Sequence, residues 1–198
     1  GLNFIISCHA DTGFRSHRLE RLPGGIAEGH LDNFAGVHAV MLAYFSGRLC
    51  GPGIRVELTH GEEVDMAGAR EVCASLDPSD VVLVVDVTAA PAPVDFTIEK
   101  CADPEMRRFV RASLKGLRYR LYAGCPDPVA QHDESDVYRT RCRRVCFLGI
   151  PCRGGDYNAG VVRCRVRHIE QAAEAICRMA ETFGTASTYR PRSGRSPQ

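Results

Sequence analysis

Apolar positions along this chain fall into short runs separated by polar turns, and the spacing inside each run names an element. Residues 3–8 (NFIISC) form an apolar run ending in His9-Ala10-Asp11, which reads as a buried strand delivering polar groups at its C-terminal end. The stretch from Phe14 to Gly29 is polar and rich in Gly and Arg, and is expected to be loop. Between Asn33 and Arg48, Phe34, Val37, Met41, Leu42 and Phe45 recur at helical spacing. Asp32 is the expected N-cap of that helix, a place that favours a carboxylate. Gly51-Pro52-Gly53 breaks the chain before a strand at Ile54–Leu58, which runs into Thr59-His60-Gly61-Glu62-Glu63. A helix is expected over Val64–Leu76, stopped by Asp77-Pro78. Val81–Val85 (VVLVV) is five consecutive apolar residues, four of them β-branched. It reads as a fully buried strand of a parallel sheet, and it ends in Asp86.

The second half continues the alternation. A proline-rich stretch at 89–93 precedes an expected edge strand at Phe96–Glu99, a helix at Pro104–Leu114 and a strand around Arg118–Tyr122. A polar loop at 131–136, a buried strand at Val145–Ile150 and a helix at Ile169–Phe183 follow. Residues 185–198 lack periodicity and are expected to be disordered, leaving one domain over residues 1–184. Strands alternating with helices predict an α/β fold built on a doubly wound, mainly parallel sheet with some antiparallel members.

Composition narrows the function classes. The 198 residues suffice for one buried core, and 44% hydrophobic with 25% charged residues is ordinary for a folded domain. A formal net charge of +1 gives no global reason to expect nucleic acid or an acidic partner. No apolar run approaches the about 20 residues that span a bilayer. The opening residues read as a strand, not as a basic segment leading to a cleavage site, so no signal peptide is expected there, although the chain opens on Gly1 without an initiator Met. The ten cysteines contain no CxxC pair, which leaves a zinc ribbon unsupported. Buried, reduced thiols and a cytoplasmic location are the expectation.

The candidate chemistry lies at the strand ends. His9 and Asp11, Glu62 and Glu63, and Asp86 each follow a predicted central strand, and Asp32 stands at a helix start. In a doubly wound fold the carboxyl ends of the strands gather into one crevice. Carboxylates brought together there repel one another and lose solvation, a problem that divalent cations solve. Oxygen ligands with an imidazole suit zinc, and also cobalt or manganese. Of the pair Glu62-Glu63, one side chain can bind metal while the other faces a water as general base. Asp11 can orient the His9 imidazole. Taken singly, each of these residues has an ordinary explanation as a cap or a solvated acid. Their joint occurrence, in order and at strand ends, favours the site.

The pieces CHADTG (8–13), GHLDNFAGVHAV (29–40), THGEEVDMAGAR (59–70), VVDVTAAP (84–91), HDESDVY (132–138) and FLGIPCRGGDYNAG (147–160) together resemble the co-catalytic zinc exopeptidases, which include zinc and glutamyl-type aminopeptidases, carboxypeptidases and deacylases. The resemblance implies a three-layer α/β/α fold and two zinc ions. His9 and Asp86 would hold one ion, Asp32 would bridge both, Glu63 would bind the second, and Glu62 would be the base. The 22 residues between His9 and Asp32 leave no room for the inserted domain of the glutamyl-type branch. Nor is there space after Asp86 for the dimerisation domain of the carboxypeptidase branch, so the compact aminopeptidase layout fits best. Two departures stand out. Tyr157-Asn158 occupies the place of a Tyr-His pair whose His completes the second metal site, which implies a weaker or empty second site unless Asp156, His132 or His168 substitutes. The family also has more chain before the HxD strand.

Lesser features carry less. His132 is placed by the resemblance near the site, as a substrate or oxyanion contact, and His60 before the Glu pair reads as structural. Cys142, Cys146 and Cys152 among arginines read as buried thiols beside a solvated basic face. Strand alternation over 161–167 would put Arg163, Arg165 and Arg167 on one face, where they could select an acidic substrate. Without interleaved aromatics that patch argues poorly for RNA. Three functions follow: an aminopeptidase acting on peptides, a deacylase of N-acyl amino acids using the same site, or a metal-poor interaction module, which Asn158 would favour. Oligomeric state has no sequence signature here.

Overall fold

Alternation in the central strands sorts their side chains onto two faces. In β1 (Phe4–His9), Phe4, Ile6 and Cys8 enter one core and Ile5 the other. In β5 (Val81–Thr88), Val81, Leu83, Val85 and Val87 oppose Val82 and Val84. In β8 (Arg144–Arg153), Cys146, Leu148 and Ile150 oppose Val145 and Phe147. Apolar residues at both phases of a two-residue period require cover on both sides of the sheet. A computed structural model, which describes residues 1–188, has that cover. α1 (Phe34–Phe45), α3 (Pro104–Ser113) and α5 (Val166–Thr188) close the larger core, and α2 (Ala67–Ser75) and α4 (Glu134–Arg139) close the other. The result is a single three-layer α/β/α domain.

The four central strands run parallel in the order β4 (Ile54–Thr59), β1, β5, β8. Antiparallel members flank them. β9 (Val162–Arg165) pairs with β8, then β3 (Ile26–Gly29) and β2 (Leu19–Leu22) continue the sheet outward. β6 (Phe96–Glu99) branches from β8 antiparallel and carries β7 (Tyr119–Leu121) parallel. β6 is therefore paired on both sides and is no edge strand.

Several expectations change. Residues 14–29 are not all loop, because β2 and β3 form a hairpin closed by Gly24 and Gly25 at φ +80° and +72°. The loop is three residues long, Pro23-Gly24-Gly25, and its two positive-φ positions are taken by glycine, which has no Cβ to clash there. The predicted loop at 131–136 runs into α4, whose Asp133 and Asp136 form a capping box. Asn33, not Asp32, caps α1, its side chain accepting from the Gly36 N–H at 3.0 Å. β9 ends at Arg165, so Arg167 lies in α5 and not on a strand face with Arg163 and Arg165. α5 continues to Thr188, past the point where disorder was expected, and the rest of that segment, 189–198, lies outside the described residues. All ten cysteines are free and eight are buried. No helix among the described residues is long and apolar enough to cross a membrane.

Candidate metal centre

The site forms where two central strands part. The β1–β5 ladder runs from Phe4↔Val81 to Ser7↔Val84 and stops, so His9 and Asp86, two residues further on each strand, stand level with each other. The Asn33 carboxamide wedges into the gap, donating to the Val85 carbonyl at 2.9 Å and to the Cys8 sulfur at 3.3 Å. β4 and β5, successive in the chain, lie on opposite sides of β1. That makes this crevice a topological switch point, where open α/β sheets gather their ligands. Because Asn33 takes the cap, Asp32 is left free to face the crevice. The Asp32–Asn33 peptide is cis.

His9 is 1% exposed, with Nε2 at 3.2 Å from both Asp32 Oδ1 and Asp86 Oδ2 and Nδ1 at 3.5 Å from Asp11 Oδ1. Although these distances are short, neither ring nitrogen makes a directed hydrogen bond. Asp11 also approaches the Glu62 backbone N–H at 3.4 Å, tying the loop after β4 to the loop after β1. Single atoms of His9, Asp32 and Asp86 lie within 4.8 Å of one another, and so do those of His9, Glu62 and Glu63. Burial alone would lower the His9 imidazole, but Asp86 and Asp32 lift it to about 12. Burial and the neighbouring Asp86 push Glu62 up to about 8, against the pull of His9. Burial and Asp32 raise Glu63 as well, and burial raises Asp86. The cluster is short of positive charge, as expected of carboxylates sharing one crevice.

The cavity above these groups measures about 40 Å³ and is lined by Asp32, Glu62 and Asp86 on one side and by Glu99, Asp127 and Tyr157 on another. Glu99 and Asp127 escaped sequence reasoning. Asp127 accepts from Tyr157 Oη at 2.7 Å, Ala89 N at 3.0 Å and Thr88 Oγ1 at 3.1 Å, which ties three loops together. Glu99 accepts from Thr97 at 2.5 Å and Thr88 at 2.8 Å, and its burial raises it to about 7. Beneath the β1–β4 end, Glu134 is buried and accepts from Thr59 at 2.5 Å and Ser7 at 3.2 Å, while Ser7 also meets Tyr138 Oη at 2.8 Å. Glu134 looked like a solvated acid in a polar run, and nothing local in the sequence marks its distant partners.

Asn158 and His132 line the same cavity. Asn158 is exposed, and its backbone N–H donates to Asp156 at 2.9 Å. The His132 side chain is 88% exposed and sits 3.3 Å from Asp136. His168 lines a different cavity, so it does not replace the missing imidazole. His60 is exposed at the end of β4.

These donors fit a divalent cation. The buried His9 nitrogens have no hydrogen-bond partner, four carboxylates and an imidazole converge, and among the described residues no Lys or Arg pairs with them. A hard or borderline cation with oxygen and nitrogen ligands satisfies each of these groups.

No protein-family model matches the chain, and no curated protein does. Solved structures do. The dodecameric PhTET1-12s is similar over 83% of this chain and 53% of its own, at 17% identity and a TM-score of 0.69. A TET aminopeptidase from a marine-sediment thaumarchaeon is similar over 84% and 55%, at 18% identity and a TM-score of 0.65. An M18-family aminopeptidase from Thermotoga maritima is similar over 82% and 48%, at 14% identity and a TM-score of 0.64. The chain thus spans about half the length of these structures. At such identities the likeness speaks for architecture, and the architecture is that of the TET and M18 aminopeptidases.

Proposed function

We propose that this chain is the catalytic core of a metal-dependent hydrolase that removes N-terminal residues from peptides. The observation that carries the reading is His9, buried with both ring nitrogens unpartnered and set among Asp32, Asp86, Glu62 and Glu63 at a switch point. The aminopeptidase fold supports it. His9 and Asp86 would hold one cation, Asp32 would be shared, and Glu63 would serve a second. Bound cations would supply Lewis acidity toward a peptide carbonyl and make a nearby water more acidic. Glu62, half-buried in the same cavity, takes the proton of the attacking water and returns it to the leaving amine. Asp11, 3.5 Å from Nδ1, would orient the His9 ring once Nε2 holds a cation. His132 and Asn158, on the open side, contact the substrate.

Asn158 favours a second reading on the same site, a weakly loaded chain that binds partners without turnover. A deacylase of N-acyl amino acids uses identical groups, and a panel of aminoacyl-amides against N-acyl amino acids separates it. Elemental analysis of the purified protein with and without added zinc is the first test. The proposal expects between one and two equivalents, lost in Asp32→Ala. It also expects Glu62→Gln to keep its metal while kcat on aminoacyl-amides falls by about 10²–10⁴-fold. Absence of metal after zinc addition, or unchanged turnover in Glu62→Gln, refutes it.

A further inference from the structure

A second cavity, away from the metal centre, has the opposite electrostatic character. It measures about 510 Å³ and lies between the 92–95 segment that follows β5, the end of β8 and the start of α5. Four arginines line it, Arg118, Arg153, Arg165 and Arg167, with His168 and a single acid, Asp95. Four positive groups less one negative leave +3 in one cavity of a chain whose total is +1.

The pairing of these arginines leaves their charge available. Only Arg167 meets a carboxylate, Asp95 at 3.1 Å. Arg153 donates to the backbone carbonyls of Cys152 and Ala90 at 2.7 Å and of Ala92 at 3.3 Å, which fixes its guanidinium without neutralising it. Arg118 likewise donates to the Pro93 carbonyl. The Arg165 side chain has no hydrogen-bond or ion-pair partner among the described residues. The placement is also unfavourable without an anion. The first turn of α5 holds Arg167 and no acid, so a cation sits at the positive end of a 23-residue helix. His168 Nδ1, on the wall of the cavity, is buried without a hydrogen-bond partner.

We propose that this cavity binds a small anion carrying two or more phosphate groups, held by the Arg118, Arg153, Arg165 and Arg167 guanidiniums at the N-terminus of α5. Guanidinium forks match phosphate oxygens two at a time, and four of them exceed what one phosphate can engage. The volume admits a chain of phosphates. A nucleic-acid strand fits less well, because the wall offers Ala92, Pro93, Val94 and Pro151 and no Phe, Tyr or Trp ring for a base to stack on.

Calorimetric titration of the full chain with inorganic tripolyphosphate, pyrophosphate, phosphate, a glutamate-rich peptide and a single-stranded oligonucleotide tests the assignment. The first two should bind one to one, tripolyphosphate tighter than pyrophosphate and phosphate weakest, with affinity falling as salt rises. Arg165→Gln should weaken tripolyphosphate by about tenfold or more, since a charge-assisted contact is lost. Its thermal midpoint without ligand should stay put, because the Arg165 side chain has no partner among the described residues. Arg118→Gln provides an independent second variant. Oligophosphates also bind metals, so the titration is repeated after chelation. Binding that survives chelation and weakens in Arg165→Gln supports the arginine cavity. Binding lost on chelation and unchanged in both variants places the anion at the metal centre and overturns the proposal. Preference for the peptide or the oligonucleotide, or no binding at millimolar tripolyphosphate, overturns it as well. None of these outcomes bears on hydrolytic activity, so the two proposals fail separately.

Discussion

Asn33 holds the crevice open, and its removal has a cost that can be worked out. Its Oδ1 accepts the Gly36 N–H at 3.0 Å, and its Nδ2 donates to the Val85 carbonyl at 2.9 Å just beyond the β1–β5 ladder. Asn33→Ala removes an N-cap, worth about 1 kcal/mol. It also strands a buried carbonyl on a central strand, worth about 1–3 kcal/mol. The expected loss is about 2–4 kcal/mol, or a fall of about 5–15 °C in Tm for a chain of this size. Urea titration at constant m-value measures it. Asn33→Ser keeps a capping oxygen but is too short to reach Val85, so it should recover only the cap's share. Gly36 provides an internal check. A Cβ there would stand 2.1 Å from Asn33 Oδ1, so Gly36→Ala clashes in the parent. In an Asn33→Ala background the clash is gone and the better helix propensity of alanine remains, so the two changes should couple by about 1 kcal/mol or more. A loss under about 0.5 kcal/mol in Asn33→Ala, or strict additivity with Gly36→Ala, would refute the wedge.

Further outcomes follow from other contacts. Asp103 caps α3 through the Glu105 and Met106 N–H groups, both at 2.9 Å, and meets Arg143 at 2.6 Å. Burial works against the Asp103 carboxylate, yet those partners hold it below its ordinary range. A lowered folded value means that its stabilisation is complete above about pH 4 and fades as pH falls through the folded value. Asp103→Ala should thus cost about 1 kcal/mol at pH 7 and almost nothing at the acid end of a urea series. An added Cβ on Gly149 would stand 2.5 Å from Thr88 and Thr97 side chains, so Gly149→Ala should destabilise by about 1–3 kcal/mol in thermal denaturation. Zinc at a hundredfold excess over its Kd should add about 2.7 kcal/mol to unfolding, and Asp32→Ala should abolish the gain.

Much of the scaffold was legible because burial leaves a mark on composition. VVLVV could only be a strand covered on both faces, and the polar residue ending it, Asp86, lines the cavity. The gathering of His9, Glu62 and Glu63 was legible for the same reason, since each follows a strongly patterned strand, and Asp32 immediately precedes a strongly patterned helix. The β2–β3 hairpin was not, because only two of its eight strand residues, Ala27 and Gly29, are buried and it carries no apolar rhythm, and its one signal was Gly24-Gly25. Asp32 and Asn33 are adjacent and both able to cap, so only the geometry of the wedge decides between them. Glu99, Asp127 and Glu134 were invisible, because each is made a site residue by hydroxyl or backbone donors, several of them far along the chain. Ser7 and Thr59 stand 127 and 75 residues from Glu134.

The level stance of His9 and Asp86 has a mechanical side. Between β1 and β5 the ladder ends at the rung of Ser7 and Val84, so beyond it the strands are joined through the Asn33 carboxamide and through side chains. An ion gripped by both would act as a clasp on a seam that otherwise hangs on one carboxamide. Fraying of that seam and escape of the ion would then be one event. The residence time of the ion becomes a measure of how often the two strand ends come apart, and amide exchange at Val87 becomes a gauge of occupancy.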